Sequence, residues 1–181
     1  TLHGMGELQR KLVMKIARSN DTQRQIQALR AGRSLLSAAD LVTLYEELSP
    51  DSADVLSMQL AFAMGDHASD ASVRRSLVTL LTANLESPYI RQAVVRAVAG
   101  EELLFLREYL GSEHLAAVSE AARTALSSLA SGAYRSLRGD ITSGESANPA
   151  LLEVLALAES RSNDNAWQQM AMLEGMKSVA A

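Results

Sequence analysis

Five twelve-residue windows, each ending at a glycine, recur in order along this chain of 181 residues. They cover residues 21–32, 54–65, 89–100, 121–132 and 164–175. Their final glycines are 33, 35, 32 and 43 residues apart. Apolar residues in the windows recur at helical spacing. A period in the low-to-mid thirties is typical of repeat proteins built from pairs of helices, so the repeat constrains the fold more than any other feature of the sequence.

A second helix-like segment lies between successive windows, which makes the repeating unit a helix, a turn and a helix. The last interval is longer because residues 139–149 (GDITSGESANP) are predicted to form an inserted loop. One helical pair cannot bury its apolar face alone, whereas stacked pairs bury these faces in a continuous core. We therefore predict a single all-α domain over residues 1–181, a right-handed α-α superhelix of about five helical hairpins.

Local signals predict several helix boundaries. Ser37-Ala-Ala-Asp40 has the form of a capping box, and Pro88 suits the first turn of the helix in the third window. The window at 54–65 is apolar nearly all round, which predicts a helix buried between neighbours. Residues 1–6 have the character of the tail of a preceding helix. The window glycines either cap helices in the left-handed region or let backbones approach closely, and the sequence leaves both alternatives open.

Composition excludes several classes of site. The chain has no cysteine, so a disulfide, a thiolate zinc site or a covalently attached c-type haem within it is excluded. The net charge of −4 disfavours sequence-independent nucleic-acid binding. No apolar run reaches the roughly 18–20 residues of a membrane span, and the N-terminus lacks the pattern of a signal peptide. Since the chain does not begin with Met, we expect it to be a piece of a longer protein.

Histidines and paired carboxylates offer little chemistry in this sequence. His67 lies between two aspartates, but metal ligation needs two to four converging groups, so a solvated turn is the favoured interpretation. His3 and His114 have no close partners in the sequence. The acidic pairs at 46–47 and 101–102 are interpreted as helix-surface charge, because neighbours on a helix point to different sides. We predict no catalytic residue, no cofactor and no metal.

Arginines are frequent on the helices of the first three repeats, and several facing one groove would bind an anionic partner. Because acidic residues are interspersed with them, a solvated mixed-charge face is the favoured interpretation. Tyr89 and Trp167 lie near window starts, where packing is favoured over an exposed binding anchor. The candidate interaction surface comprises Arg24, Arg74, Arg75, Arg91, Tyr89 and Trp167.

The stretch at 51–66, DSADVLSMQLAFAMGD, resembles the HEAT repeats of large secreted multidomain proteins of planctomycetes and related bacteria. The family's acidic turn, Val, Gln-x-Ala and closing Gly are matched by Asp51, Val55, Gln59, Ala61 and Gly65. The usual Pro, Arg and Leu are replaced by Ser52, Leu56 and Met64. Residues 87–98 and 165–176 resemble two further segments of the same family. In that family a sugar-dehydrogenase-like propeller and a cytochrome c module flank the repeats. Neither the propeller nor the Cys-x-x-Cys-His motif is present here, so the resemblance implies HEAT-like packing and no catalytic residue.

The sequence therefore favours a non-catalytic scaffold or protein-interaction module that links domains of an exported dehydrogenase or cytochrome-like protein. Its partners would be other domains of the parent chain or a separate protein, and the isolated domain is expected to be monomeric. The resemblance would place it in the periplasm or outside the cell. One alternative is a HEAT-type nucleic-acid-binding protein or enzyme with an arginine-lined concave groove. Another is an adaptor with a methionine-rich surface formed by Met58, Met64, Met170, Met172 and Met176.

Overall fold

A computed structural model describes residues 2–48, 54–112, 118–138, 149–161 and 165–180, and all regular secondary structure in these ranges is helical. The helices are α1 (Leu2–Ala17), α2 (Thr22–Gly32), α3 (Ala38–Leu48), α4 (Asp54–Gly65), α5 (Ala71–Ala83), α6 (Pro88–Ala97), α7 (Glu102–Gly111), α8 (Glu120–Arg138), α9 (Pro149–Glu159) and α10 (Ala166–Ala180). The all-α prediction is confirmed for the described residues. The five sequence windows coincide with the even-numbered helices.

Helix ends follow the local chemistry of the sequence. The capping box is formed, because the backbone N–H of Ser37 donates to Asp40 Oδ2 at 2.9 Å and the N–H of Asp40 donates to Ser37 Oγ at 3.3 Å. Pro88 is the first residue of α6. Asp70 caps α5, where its side chain accepts from two backbone N–H groups of the first turn.

Two boundaries differ from the sequence prediction. Residues 2–6 do not end a separate helix but belong to α1, because a glycine inside a helix costs only about 1 kcal/mol and need not break it. The helix of the fourth window, residues 121–132, does not end at the window's glycine but continues to Arg138. Residues 139–148 of the predicted loop lie outside the described residues, and so does His114. The last residue of that predicted loop, Pro149, begins α9.

The helices divide into two compact units, Thr1–Ala97 and Val98–Ala181. In the first unit, α2 packs against α4 and α4 against α6, while α3 packs against α5 and α1 against α2. Ser87 Oγ, next to the start of α6, donates to Asp54 Oδ2 at the start of α4, at 2.9 Å. Near the other end, Gly65 of α4 contacts Ala97 of α6. Helices α4 and α6 therefore run parallel.

The second unit is centred on α8, which packs against α7, α9 and α10. The rings of Phe105 and Tyr109 on α7 stack with centroids 6.1 Å apart, and both side chains are fully buried. The core also holds Leu126 and Leu129 of α8 and Met172 of α10. Burial of these large apolar side chains is the main favourable contribution to folding of this unit.

Both alternatives for the window glycines occur. Gly65 and Gly175 are close-packing positions, because a Cβ on Gly65 would lie 2.9 Å from the carbonyl oxygen of Ala97, and one on Gly175 would overlap the carbonyl oxygen of Ser127. Gly100 follows α6 in the left-handed region with φ of 89°, and nothing lies near the position of its missing Cβ.

Candidate interaction surface

Two large apolar side chains are exposed at the start of α4 and α6. The hydrogen bond from Ser87 to Asp54 holds the first turns of these parallel helices together. Val55 directly follows Asp54 and is 51% exposed; Tyr89 lies two residues after Ser87 and is 65% exposed. The two side chains therefore lie in open solvent at the same end of adjacent helices.

The exposed stripes of α4 and α6 continue from these two residues at helical spacing. Met58 and Phe62 follow Val55 on α4 and are half-buried, while Gln92 and Arg96 follow Tyr89 on α6 and are exposed. The α4–α6 face is defined here as Val55, Met58, Phe62, Tyr89, Gln92 and Arg96.

The chemistry of the α4–α6 face suits protein recognition. It combines aromatic, aliphatic and thioether side chains with one amide and one guanidinium, and it contains no carboxylate. Aromatic residues, Met and Arg are enriched in protein interfaces, whereas Asp and Glu are depleted there. Tyr89 and Phe62 offer large contact area with few rotatable bonds, which limits the entropy lost on binding.

Four arginines pair with carboxylates that lie on or beside the helix two places further along the chain. The guanidinium of Arg10 on α1 donates to both carboxylate oxygens of Asp40 on α3, at 2.7 and 2.8 Å. Arg18, directly after α1, donates to both carboxylate oxygens of Glu47 on α3, at 2.7 and 2.9 Å. Further pairs are formed by Arg33 with Asp66, between α2 and the turn after α4, and by Arg107 with Glu153, between α7 and α9.

These pairs have electrostatic consequences for the carboxylates. The hydrogen bonds from Arg10 hold the pKa of Asp40 well below its ordinary value, against the effect of burial. The hydrogen bond from Arg18 likewise lowers the pKa of Glu47. Each of these carboxylates is thus kept ionised beside its arginine. Arg10 and Arg18 thereby join α3 to α1 and to the residue that follows it.

Two of the six residues predicted for the interaction surface, Arg74 and Trp167, are buried. Arg74 is buried and donates to the carbonyl oxygens of Ala68 at 3.0 Å and Ser69 at 2.7 Å, which ties the turn before α5 to that helix. Trp167 is only 9% exposed on α10. Burial therefore removes both from any open surface.

The remaining predicted residues are accessible to different degrees. Arg91 is half-buried and donates to the carbonyl oxygen of Leu85. Arg24 and Arg75 are exposed, and Nε of Arg24 lies 3.4 Å from Oδ2 of Asp21, the N-cap residue of α2. Tyr89 alone among the six combines an aromatic side chain with high exposure.

Glu102 is a buried carboxylate that the sequence analysis assigned to surface charge. Its Oε2 accepts from the backbone N–H of Gly100 at 2.8 Å and from Ser136 Oγ at 3.2 Å, so it joins the start of α7 to α8. A buried charge needs such partners, which only the tertiary structure provides.

The side chain of His67 is half-buried, and its Nε2 lies 3.0 Å from the carbonyl oxygen of Leu36. Among the described residues no cluster of His, Cys, Asp or Glu has the arrangement of a metal site.

Three of the five methionines predicted to form a surface are buried. Met64, Met172 and Met176 are buried, Met58 is half-buried, and Met170 is exposed on α10. Buried methionines fill gaps in a core and are not available to a partner. None of the described helices has the length and hydropathy needed to cross a membrane.

Comparison of the chain with protein-family models, curated proteins and solved structures found no match.

Proposed function

We propose that this chain is a non-catalytic, HEAT-like scaffold, a right-handed solenoid of about five helical pairs that binds a protein partner on its α4–α6 face. The observation that carries the proposal is the parallel packing of α4 and α6 with Val55 and Tyr89 exposed at the same end of both. Stacked parallel helices present a continuous rigid surface, and a large exposed aromatic residue is a common binding anchor.

The arginine pairs support a scaffold role in a second way. Four arginine–carboxylate pairs connect helices that are two places apart in the chain, which suits a structure whose task is to hold repeats in register. Since these charges neutralise one another, they give no support to binding of a polyanion. In its natural context we propose that the scaffold links catalytic and electron-transfer domains of an exported protein, as the family resemblance implies.

Photo-crosslinking tests the binding surface directly. p-Benzoylphenylalanine replaces Tyr89 in one variant and the exposed Glu46 of α3 in a control variant, and both are irradiated in extracts of the source cells. We expect a discrete protein adduct at position 89 that is absent at position 46. The additional substitution Val55→Asp should reduce the adduct about tenfold, as loss of an interface hot spot does. Equal adduct yields at the two positions would overturn the proposal.

A further inference from the structure

A groove of about 600 Å³ lies between α1 and α2 in the first unit. Its walls are Leu12, Val13 and Ile16 of α1 and Gln23, Arg24, Gln27, Ala28 and Ala31 of α2. Leu12 is 58% exposed, so a large apolar side chain faces solvent here. Arg24 is the one charged residue among these eight.

Within the described part of the first unit, α2 has fewer packed neighbours than α4. Helix α4 packs against α2, α3, α5 and α6, whereas α2 packs against α1 and α4. The five groove positions of α2 correspond, 33 residues later in the repeat, to Leu56, Ser57, Leu60, Ala61 and Met64, and all five of these are buried. In this fold such positions are covered by neighbouring helices, which indicates that the shape complementary to the groove is a helix.

The residues of α2 also indicate whether the groove is covered permanently or reversibly. Gln23 and Gln27 stand where α4 has Leu56 and Leu60, so one wall of the groove remains well solvated when the groove is open. The opposite wall, formed by α1, is apolar and supplies a driving force for burial. A groove with one polar and one apolar wall suits an occupant that binds and dissociates. A permanent core contact would instead favour apolar residues on both walls.

A second copy of this chain is a poor match to a groove of this size. A stable dimer interface takes roughly 20–30 residues and about 800 Å² from each partner, and eight residues line this groove. One amphipathic helix needs only a short apolar channel with anchors at helical spacing. The charge of Arg24 adds a second requirement, namely a carboxylate on the occupant. The ion pair of Arg24 with Asp21 is exposed, so Arg24 can exchange Asp21 for that carboxylate at little cost.

We infer that the α1–α2 groove binds an amphipathic helix of a partner protein. The apolar stripe of that helix lies against Leu12 and Ile16, and a carboxylate on its flank pairs with Arg24. This site is separate from the α4–α6 face and rests on different residues.

The probe for this site is a pair of lactam-bridged helical peptides of about 16 residues, or roughly four turns. Both carry leucines at positions i, i+3 and i+7; one carries a flanking Glu and the other a Lys in its place. Fluorescence anisotropy measures their binding to the full chain. We expect the Glu peptide to bind about three- to fivefold more tightly than the Lys peptide, as a partly exposed ion pair predicts, and Arg24→Glu to reverse that order.

Two matched substitutions test the groove itself. Leu12→Asp should weaken binding of the Glu peptide at least about tenfold, whereas Val118→Asp, at an equally exposed apolar residue outside both the groove and the α4–α6 face, should leave it unchanged. Circular dichroism confirms that both variants remain folded. Absence of saturable binding, or equal effects of the two substitutions, would overturn the inference. A dimer in sedimentation velocity that Leu12→Asp dissociates would also overturn it, by making a second copy the occupant.

Discussion

Gly65 of α4 lies directly against the backbone of Ala97 in α6. A Cβ on Gly65 would lie 2.9 Å from the carbonyl oxygen and 3.0 Å from the Cα of Ala97. These two parallel helices therefore meet backbone to backbone at their C-terminal ends. Gly175 has the same role against Ser127 in the second unit. Glycines in the repeat thus set how closely neighbouring helices pack, which is a structural and not a catalytic role.

Gly65→Ala is expected to lower the free energy of unfolding by about 1–2 kcal/mol. Overpacking costs about 1–3 kcal/mol, and the higher helix propensity of Ala returns at most about 1 kcal/mol. The atoms that Cβ would meet belong mainly to backbone, so they cannot move aside by a rotamer change. Urea denaturation followed by circular dichroism measures the difference.

Gly6→Ala is the matched control for this prediction. Gly6 lies inside α1 and nothing lies within 4 Å of the position of its missing Cβ. The same substitution there should be neutral or stabilising by up to about 1 kcal/mol. A loss of stability at Gly6 equal to that at Gly65 would show that close approach to Ala97 is not the cause.

Gly100→Ala is expected to destabilise the chain by about 1–2 kcal/mol for a different reason. With φ of 89° this residue occupies a region where a Cβ clashes with its own backbone, although the surrounding space is open. Gly100→Asn should cost less, because Asn tolerates the left-handed region better than Ala does. Thermal or urea unfolding of both variants checks this order, and a cost for Asn as large as that for Ala would contradict it.

The repeat register allowed the even-numbered helices to be located from sequence because each of them overlaps a window that combines apolar spacing with a closing glycine. The capping box at Ser37 and Asp40 was also predictable, since both of its hydrogen bonds are local. Such features depend on residues a few positions apart, and the sequence displays them directly.

The exposed residues of the candidate surfaces could not be predicted in the same way. Helix α4 is apolar on nearly every side, so its sequence does not reveal that Val55 faces solvent while Leu60 is buried. Leu12 lies on the apolar stripe of α1 and has the pattern of a core residue. The partner of Arg10 lies 30 residues away, and the buried Glu102 depends on Ser136, 34 residues away. Helix packing decides such pairings.

Acidification should reduce stability through Asp40. Its pKa in the folded chain is below the ordinary value of 3.8 because Arg10 and Ser37 donate hydrogen bonds to the ionised carboxylate. A depressed pKa contributes stability that is present above 3.8 and is lost as the pH falls below it. We expect the free energy of unfolding to fall as the pH decreases below about 4, and urea titrations across that range measure the fall.

Asp40→Asn separates this contribution from that of other carboxylates. The variant should be less stable than the wild type at pH 7, because Asn cannot accept the charge-assisted pair from Arg10. It should also lose less stability between neutral and acidic pH. If both proteins showed the same pH dependence, Asp40 would not be a source of the acid sensitivity.

Tyr109→Phe is expected to raise the free energy of unfolding by about 1 kcal/mol, since it removes a buried hydroxyl that finds no hydrogen-bond partner among the described residues.

Burial also raises the pKa of Tyr109 to about 12. Because the folded chain disfavours the phenolate, the free energy of unfolding should fall as the pH rises from 10 toward 12. Urea titrations at pH 8 and at alkaline pH measure both effects. The alkaline loss should be smaller in Tyr109→Phe than in the wild type, and a variant less stable than the wild type at pH 8 would mean that the hydroxyl is hydrogen-bonded after all.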